Sequence, residues 1–111
     1  SDSYWFKHLQ SSWSSAICCP FIRVRDMKKM WLTSTGLDNG VYNLRIEAWS
    51  GSSRANSTIS GTTDTSHTAT ATEIFSISVD VSSVAIGTEC VAVVQIYNGK
   101  LLMPRLYWTG D

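Results

Sequence analysis

The sequence predicts an all-β domain, an antiparallel β-sandwich, on three observations. Apolar and polar residues alternate over 41–49 and again over 73–81, the period of a strand with one face on a core. Cys90 to Ile96 is apolar on both parities, as an interior strand is. Asn39-Gly40 and Asn98-Gly99 supply the positive φ that tight reversals need.

Taken in order, residues 1–15 place Trp5, Leu9 and Trp13 four apart behind Ser1, Asp2 and Ser3. This spacing predicts a short helical turn or arm that docks its aromatic side chains on the domain or on a neighbouring subunit. The remainder, 16–111, reads as a single β-sandwich domain, because a chain of 111 residues buries one core and not two. With Ser and not Met at position 1, the chain reads as a processed form, a fragment or an excised domain.

From Ala16 to Thr33 the residues are β-prone, with Ile22 and Val24 alternating against Arg23 and Arg25, then Met30, Trp31 and Leu32 in succession. One strand is expected, or two with a bend near Asp26. Val41 to Trp49 places Tyr42, Leu44, Ile46 and Ala48 on one face and Asn43, Arg45, Glu47 and Trp49 on the other, a strand with one wet face. Ser50 to Thr72 carries 13 Ser or Thr in 23 residues and one large apolar residue, Ile59, so it forms an exposed excursion or an edge hairpin and not core.

Phe75, Ile77, Val79 and Val81 then share the inner face of a one-sided strand. Asn98-Gly99 predicts a hairpin joining the 90–97 strand to a final strand over 100–108. Pro104 lacks the amide a ladder needs, so that last strand should bulge there and lie at a sheet edge. Residues 27–33 echo 103–109 in the order Met, any, basic, aliphatic, aromatic, bulky, Thr. Two comparable strands on opposite sides of one core would produce this.

Composition narrows the function. Nine Lys and Arg balance nine Asp and Glu with no dense basic cluster, so no nucleic-acid partner is expected. The longest apolar run is too short to span a bilayer as a helix, so no membrane partner is expected. Cys18, Cys19 and Cys90 cannot all pair within the chain and lack zinc-ligand spacing. Reduced, buried thiols are expected, with a bridge from Cys18 or Cys19 to Cys90 as the alternative.

His8 and His67 have no carboxylate at a spacing that strand or helix geometry makes meaningful, and no nucleophile elbow, zinc-binding HExxH or phosphate loop occurs. No catalytic residue, metal site or cofactor is therefore expected. Asp38-Asn39-Gly40 reads as a turn, since a hard cation wants more oxygens than it offers.

The aromatic residues say more. Five Trp exceed what one small core readily absorbs. Trp31, Tyr107 and Trp108 sit in mixed apolar stretches and are assigned to packing. Trp49 shares the polar parity of its strand with Glu47, Arg45 and Asn43, an exposed indole beside hydrogen-bonding groups that could stack on a sugar and hold its hydroxyls. These four are the candidate ligand-binding residues, with packing of Trp49 under the loop that follows as the alternative.

From Thr68 to Thr109 the order is a Thr-rich lead-in, Ile74-Phe75-Ser76-Ile77-Ser78-Val79-Asp80-Val81-Ser82-Ser83, a Gly-containing turn, an apolar strand and a closing strand with basic, aliphatic and aromatic residues. This resembles the β-sandwich modules near the ends of phage and prophage tail proteins and the related jelly-roll carbohydrate-binding modules. The resemblance covers under half of the chain. It implies a jelly-roll-like sandwich in a virion or extracellular setting, non-enzymatic, structural or in contact with a receptor or glycan. Its partners would be copies of itself in a homo-oligomer or neighbouring virion subunits. The alternatives are a carbohydrate-binding module of a bacterial secreted protein and a small β-scaffold hydrolase or lyase.

Overall fold

The computed structural model describes residues 17–50 and 58–110; the expected helical arm over 1–15 lies outside them. Seven strands form, β1 (Ile17–Ile22), β2 (Lys29–Gly36), β3 (Gly40–Ser50), β4 (Thr58–Ala69), β5 (Glu73–Asp80), β6 (Glu89–Tyr97) and β7 (Leu101–Thr109). They make a four-stranded sheet in the order β1-β6-β3-β4 and a three-stranded sheet in the order β5-β2-β7. All pairings are antiparallel. The all-β sandwich predicted from the alternating segments is the fold.

The pairing has a simple logic. β1 pairs with β6, β2 with β5 and β3 with β4, so the chain from β1 to β6 is doubled back on itself about the β3–β4 connection. That doubled ribbon is rolled, its β2·β5 stretch in one sheet and its ends in the other. β3 against β6 completes the four-stranded sheet, β7 adds to β2, and the result is the wrapping of a jelly roll. Consecutive strands therefore change sheet at every connection except β3 to β4.

The expected hairpin between residues 90–97 and 100–108 does not form. Asn98 and Gly99 do reverse the chain with φ of 69° and 123°, but they carry it from β6 in one sheet to β7 in the other. The turn dipeptide sets the reversal, and the sheet that receives the next strand is set by side-chain burial. Here Tyr42 occupies the bend. Its hydroxyl donates to the Lys100 carbonyl at 3.0 Å, and a Cβ on Gly99 would come 2.5 Å from that hydroxyl. The expected edge position and bulge of the last strand are present against β2 instead. The register of β7 slips between the partners of Thr33 and Thr35, where Met103 takes φ of 51° just before Pro104.

The echo segments 27–33 and 103–109 are neighbours in one sheet and not on opposite sides of the core; Trp31 opposes Tyr107 and Met30 opposes Trp108. The Ser/Thr-rich stretch gives the edge strand β4, paired along β3.

Inward-facing side chains fill the space between the sheets. Tyr42, Leu44 and Ile46 of β3 and Ala92 and Val94 of β6 meet Met30 and Leu32 of β2, Phe75, Ile77 and Val79 of β5 and Leu106 of β7. At about 25 cal/mol for each Å² of apolar surface removed from water, this layer is the principal driving force for the fold.

The parity expected at the end of β1 is inverted. Ile22 and Val24 are exposed at 54 % and 42 %, whereas Arg23 is 3 % exposed. The Arg23 guanidinium donates from Nε to the Val81 carbonyl at 2.9 Å, from Nη2 to the Ser82 carbonyl at 3.5 Å and from Nη1 to the Val24 carbonyl. Its backbone exchanges hydrogen bonds with Thr88 and Gly87. A planar fork of donors satisfies carbonyls on two segments at once, and the chain turns inward to deliver it.

Candidate functional site

β3 brings Asn43, Arg45, Glu47 and Trp49 to one face as alternation requires, yet that face is not wet. Glu47 is fully buried and Asn43 is 6 % exposed, while Arg45 and Trp49 are half-buried. Glu47 and Arg45 stand opposite Val91 and Val93 of β6. Those two valines are fully buried and form with Cys18 a second apolar cluster, on which Trp49 packs. The polar parity of β3 thus lies beside an apolar outer face on β6, with Asn43 and Glu47 buried and Arg45 and Trp49 partly so. Within it, Arg45 Nε lies 3.4 Å from Glu47 Oε2 and Asn43 Nδ2 donates to Ser66 Oγ at 2.6 Å. Glu47 is fully buried and Arg45 partly so, and an ion pair in this setting is weak evidence of stabilisation.

The outer face of the three-stranded sheet is different. β2 turns Met30, Leu32 and Ser34 inward, so Lys29, Trp31, Thr33 and Thr35 point out. Across the ladder they meet Asp80, Ser78, Ser76 and Ile74 of β5 and Thr109, Tyr107, Arg105 and Leu102 of β7. Trp31 and Tyr107 sit at the centre with ring centroids 6.2 Å apart and planes 7° from parallel.

Each group in this grid is held. Trp31 Nε1 donates to Thr109 Oγ1 at 2.8 Å. Thr33 Oγ1 lies 2.8 Å from Ser76 Oγ and 3.2 Å from the Tyr107 hydroxyl. The Arg105 guanidinium stands 4.7 Å over the Tyr107 ring and Lys29 Nζ 5.7 Å from the Trp31 ring. Two half-buried parallel rings with a row of hydroxyls beside them form an amphipathic platform. At its end a shallow depression is lined by Thr33, Thr35, Ile74, Leu102, Met103 and Arg105.

Reading Met30-Trp31-Leu32 as one apolar run hid this face. The signal was the alternation of Lys29, Trp31, Thr33 and Thr35 against Met30, Leu32, Ser34 and Gly36, which assigns Trp31 to the polar side.

Other clusters play local parts. His67 Nε2 pairs with Glu73 Oε2 across the β4–β5 turn, and its ring lies 4.8 Å from that of Phe75. The hydrogen bond from His67 is the main cause that holds the Glu73 carboxyl below its ordinary value. This His–carboxylate pair escaped the sequence reading because its six-residue spacing acquires meaning only when the chain changes sheet. Asn39 Oδ1 accepts the Ala71 amide at 2.8 Å, so Asp38-Asn39-Gly40 makes the bend from β2 to β3 tied to its neighbour, without the positive φ expected at Asn39-Gly40.

A hollow between β4 and β5 is lined by Ile46, Ala48, Val81 and Val84 below Thr63 and Asp80; it holds no aromatic ring. Cys18, Cys19 and Cys90 are buried, and Cys19 and Cys90 carry free thiols. Burial pushes the Cys19 thiol up to about 12 and the Cys90 thiol up to about 11. Among the described residues, no group of three His, Cys, Asp or Glu side chains could hold a metal, and no helix is long and apolar enough to cross a membrane.

No family model, curated protein or solved structure matches the chain.

Proposed function

We propose that this domain is a non-catalytic contact module that lays the outer face of the β5-β2-β7 sheet against a glycan, as part of a phage tail or fibre or a similar extracellular assembly. The observation that carries the reading is the Trp31–Tyr107 platform, whose rings stand on the outward parity of their strands with Thr33 and Ser76 hydroxyls alongside. A sugar presents C–H groups on one face and hydroxyls at its rim, so a flat ring beside short hydroxyls meets both. The setting in a tail or fibre rests on the likeness of residues 68–109 to such modules. Copies of the chain or neighbouring virion subunits are the proposed partners. Ile74, Leu102 and Met103, exposed at 77 %, 48 % and 84 %, supply apolar area for such a contact at one end of the face.

This face is preferred to that of Trp49 and its neighbours because Asn43 and Glu47 are buried there and Trp49 packs on Cys18, Val91 and Val93. A glycan array probed with the intact chain and with Trp31→Ala and Tyr107→Ala tests it. Binding that either substitution weakens by about tenfold or more supports the reading; binding that both leave unchanged, or no binding at all, refutes it.

A further inference from the structure

We infer that the glycan this face takes is acidic, its carboxylate, sulfate or phosphate groups engaging Arg105 and Lys29 while its rings lie on Trp31 and Tyr107; this rests on the glycan reading above. A neutral sugar is gripped chiefly through its hydroxyls, and a site built for it sets carboxylates or amides beside the aromatic rings to accept and donate in pairs. On this face the charged groups nearest the rings are cations, Arg105 over Tyr107 and Lys29 beside Trp31.

Neither cation has a carboxylate within ion-pair distance among the described residues. The one acid of the grid, Asp80, stands opposite Lys29 at the margin. Its Oδ1 already accepts the Ser82 amide at 2.7 Å and the Ser82 hydroxyl at 2.5 Å. Asp80 also interacts electrostatically with Lys29, so two cations against one acid leave this face with a single net positive charge, in a chain whose overall formal charge is zero.

Geometry adds to charge. Arg105 Cζ lies 4.7 Å from the Tyr107 ring centroid, and a guanidinium carries a planar fork of N–H donors that suits a bidentate bond to an oxyanion. Arg105 stands opposite Thr33, and Lys29 lies four residues before Thr33 on the same strand. At about 3.3 Å per residue the backbone positions of the two cations are therefore offset by about 13 Å along the strands, with the Trp31–Tyr107 pair at the position between them. Such a row suits a chain bearing repeated negative groups, and the half-exposed setting keeps the attraction sensitive to salt.

The test uses matched pairs of glycans that differ only in charge: uronate polymers and their methyl esters, sialylated oligosaccharides and their asialo forms, sulfated polymers and their desulfated forms. The intact chain is measured with Arg105→Gln, with Lys29→Gln and with Trp31→Ala. The inference expects binding to the acidic member of at least one pair, about tenfold or more over its neutral partner. That preference should fall when salt rises from about 50 to about 300 mM and should be abolished by Arg105→Gln with Lys29→Gln. Equal binding to charged and neutral members, lost in Trp31→Ala, overturns the acidic assignment and leaves the glycan face standing. An acidic preference untouched by the two Gln substitutions overturns the placement of the anion. No binding to any member overturns both readings.

Discussion

Trp31 and Tyr107 face one another across β2 and β7, their ring planes 7° from parallel and their centroids 6.2 Å apart, on the side of the three-stranded sheet away from the core. Trp49, the indole that alternation alone singled out, packs instead on Cys18, Val91 and Val93. The two tryptophans should therefore answer substitution in opposite ways.

Trp49→Ala is expected to cost about 2 to 4 kcal/mol of folding stability in urea titration, because it opens a cavity in a packed cluster. Trp31→Ala should cost about 1 kcal/mol, the scale of a surface aromatic pair and one hydrogen bond. A Trp49→Ala protein as stable as the parent would mean that its face is open after all.

Arg23→Ala is expected to lower stability by about 2 to 4 kcal/mol, since it leaves the Val81 carbonyl and its neighbours without their charged donor. Arg23→Lys should recover less than half of that, because one ammonium cannot span carbonyls on two segments as the guanidinium fork does. Thermal unfolding of the three proteins side by side reads the order directly.

The thiols make a separate prediction. With Cys19 and Cys90 buried and their pKa values pushed up to about 12 and about 11, almost no thiolate exists at pH 8 and no reagent can reach it. Thiol reagents should label these two positions only after denaturation. Rapid native labelling at either, located by peptide mapping, would contradict the core assignment.

Glu73 gives a pH signature. Its folded-state pKa lies below the unfolded value, chiefly through the hydrogen bond from His67. The group therefore contributes stability that is present above the unfolded value and lost as pH falls through the folded one. Both groups of the pair are partly exposed, so the contribution is small. Melting temperatures recorded from about pH 5 down to about pH 3 should fall less steeply for Glu73→Gln than for the parent. Equal slopes would remove the pair from the account.

Much of the fold was legible because alternation reports a local fact, which residues share a face. Phe75, Ile77, Val79 and Val81 were placed inward correctly on that ground alone. Alternation does not report what covers the other face. Asn43 and Glu47 read as wet because they are polar, yet both are buried, on a face that also carries the buried Val91 and Val93 of the adjacent strand. The same limit applies to turns. Asn98-Gly99 announced a reversal, but whether β7 would join β6 or β2 depended on Tyr42 under the bend and on the inward Leu106 and Trp108, which are contacts distant in sequence. At Arg23 a single buried guanidinium overrode the parity of the apolar residues beside it, which no period-2 pattern records.

The most direct measurement follows the tryptophan indole resonances by NMR while a glycan selected on the array is titrated into the intact chain. The account predicts that the Trp31 indole N–H, which donates to Thr109 Oγ1, shifts with saturating ligand and that the Trp49 indole does not. A shift at Trp49 with Trp31 unmoved would return the site to β3 and contradict the assignment of the outer β5-β2-β7 face.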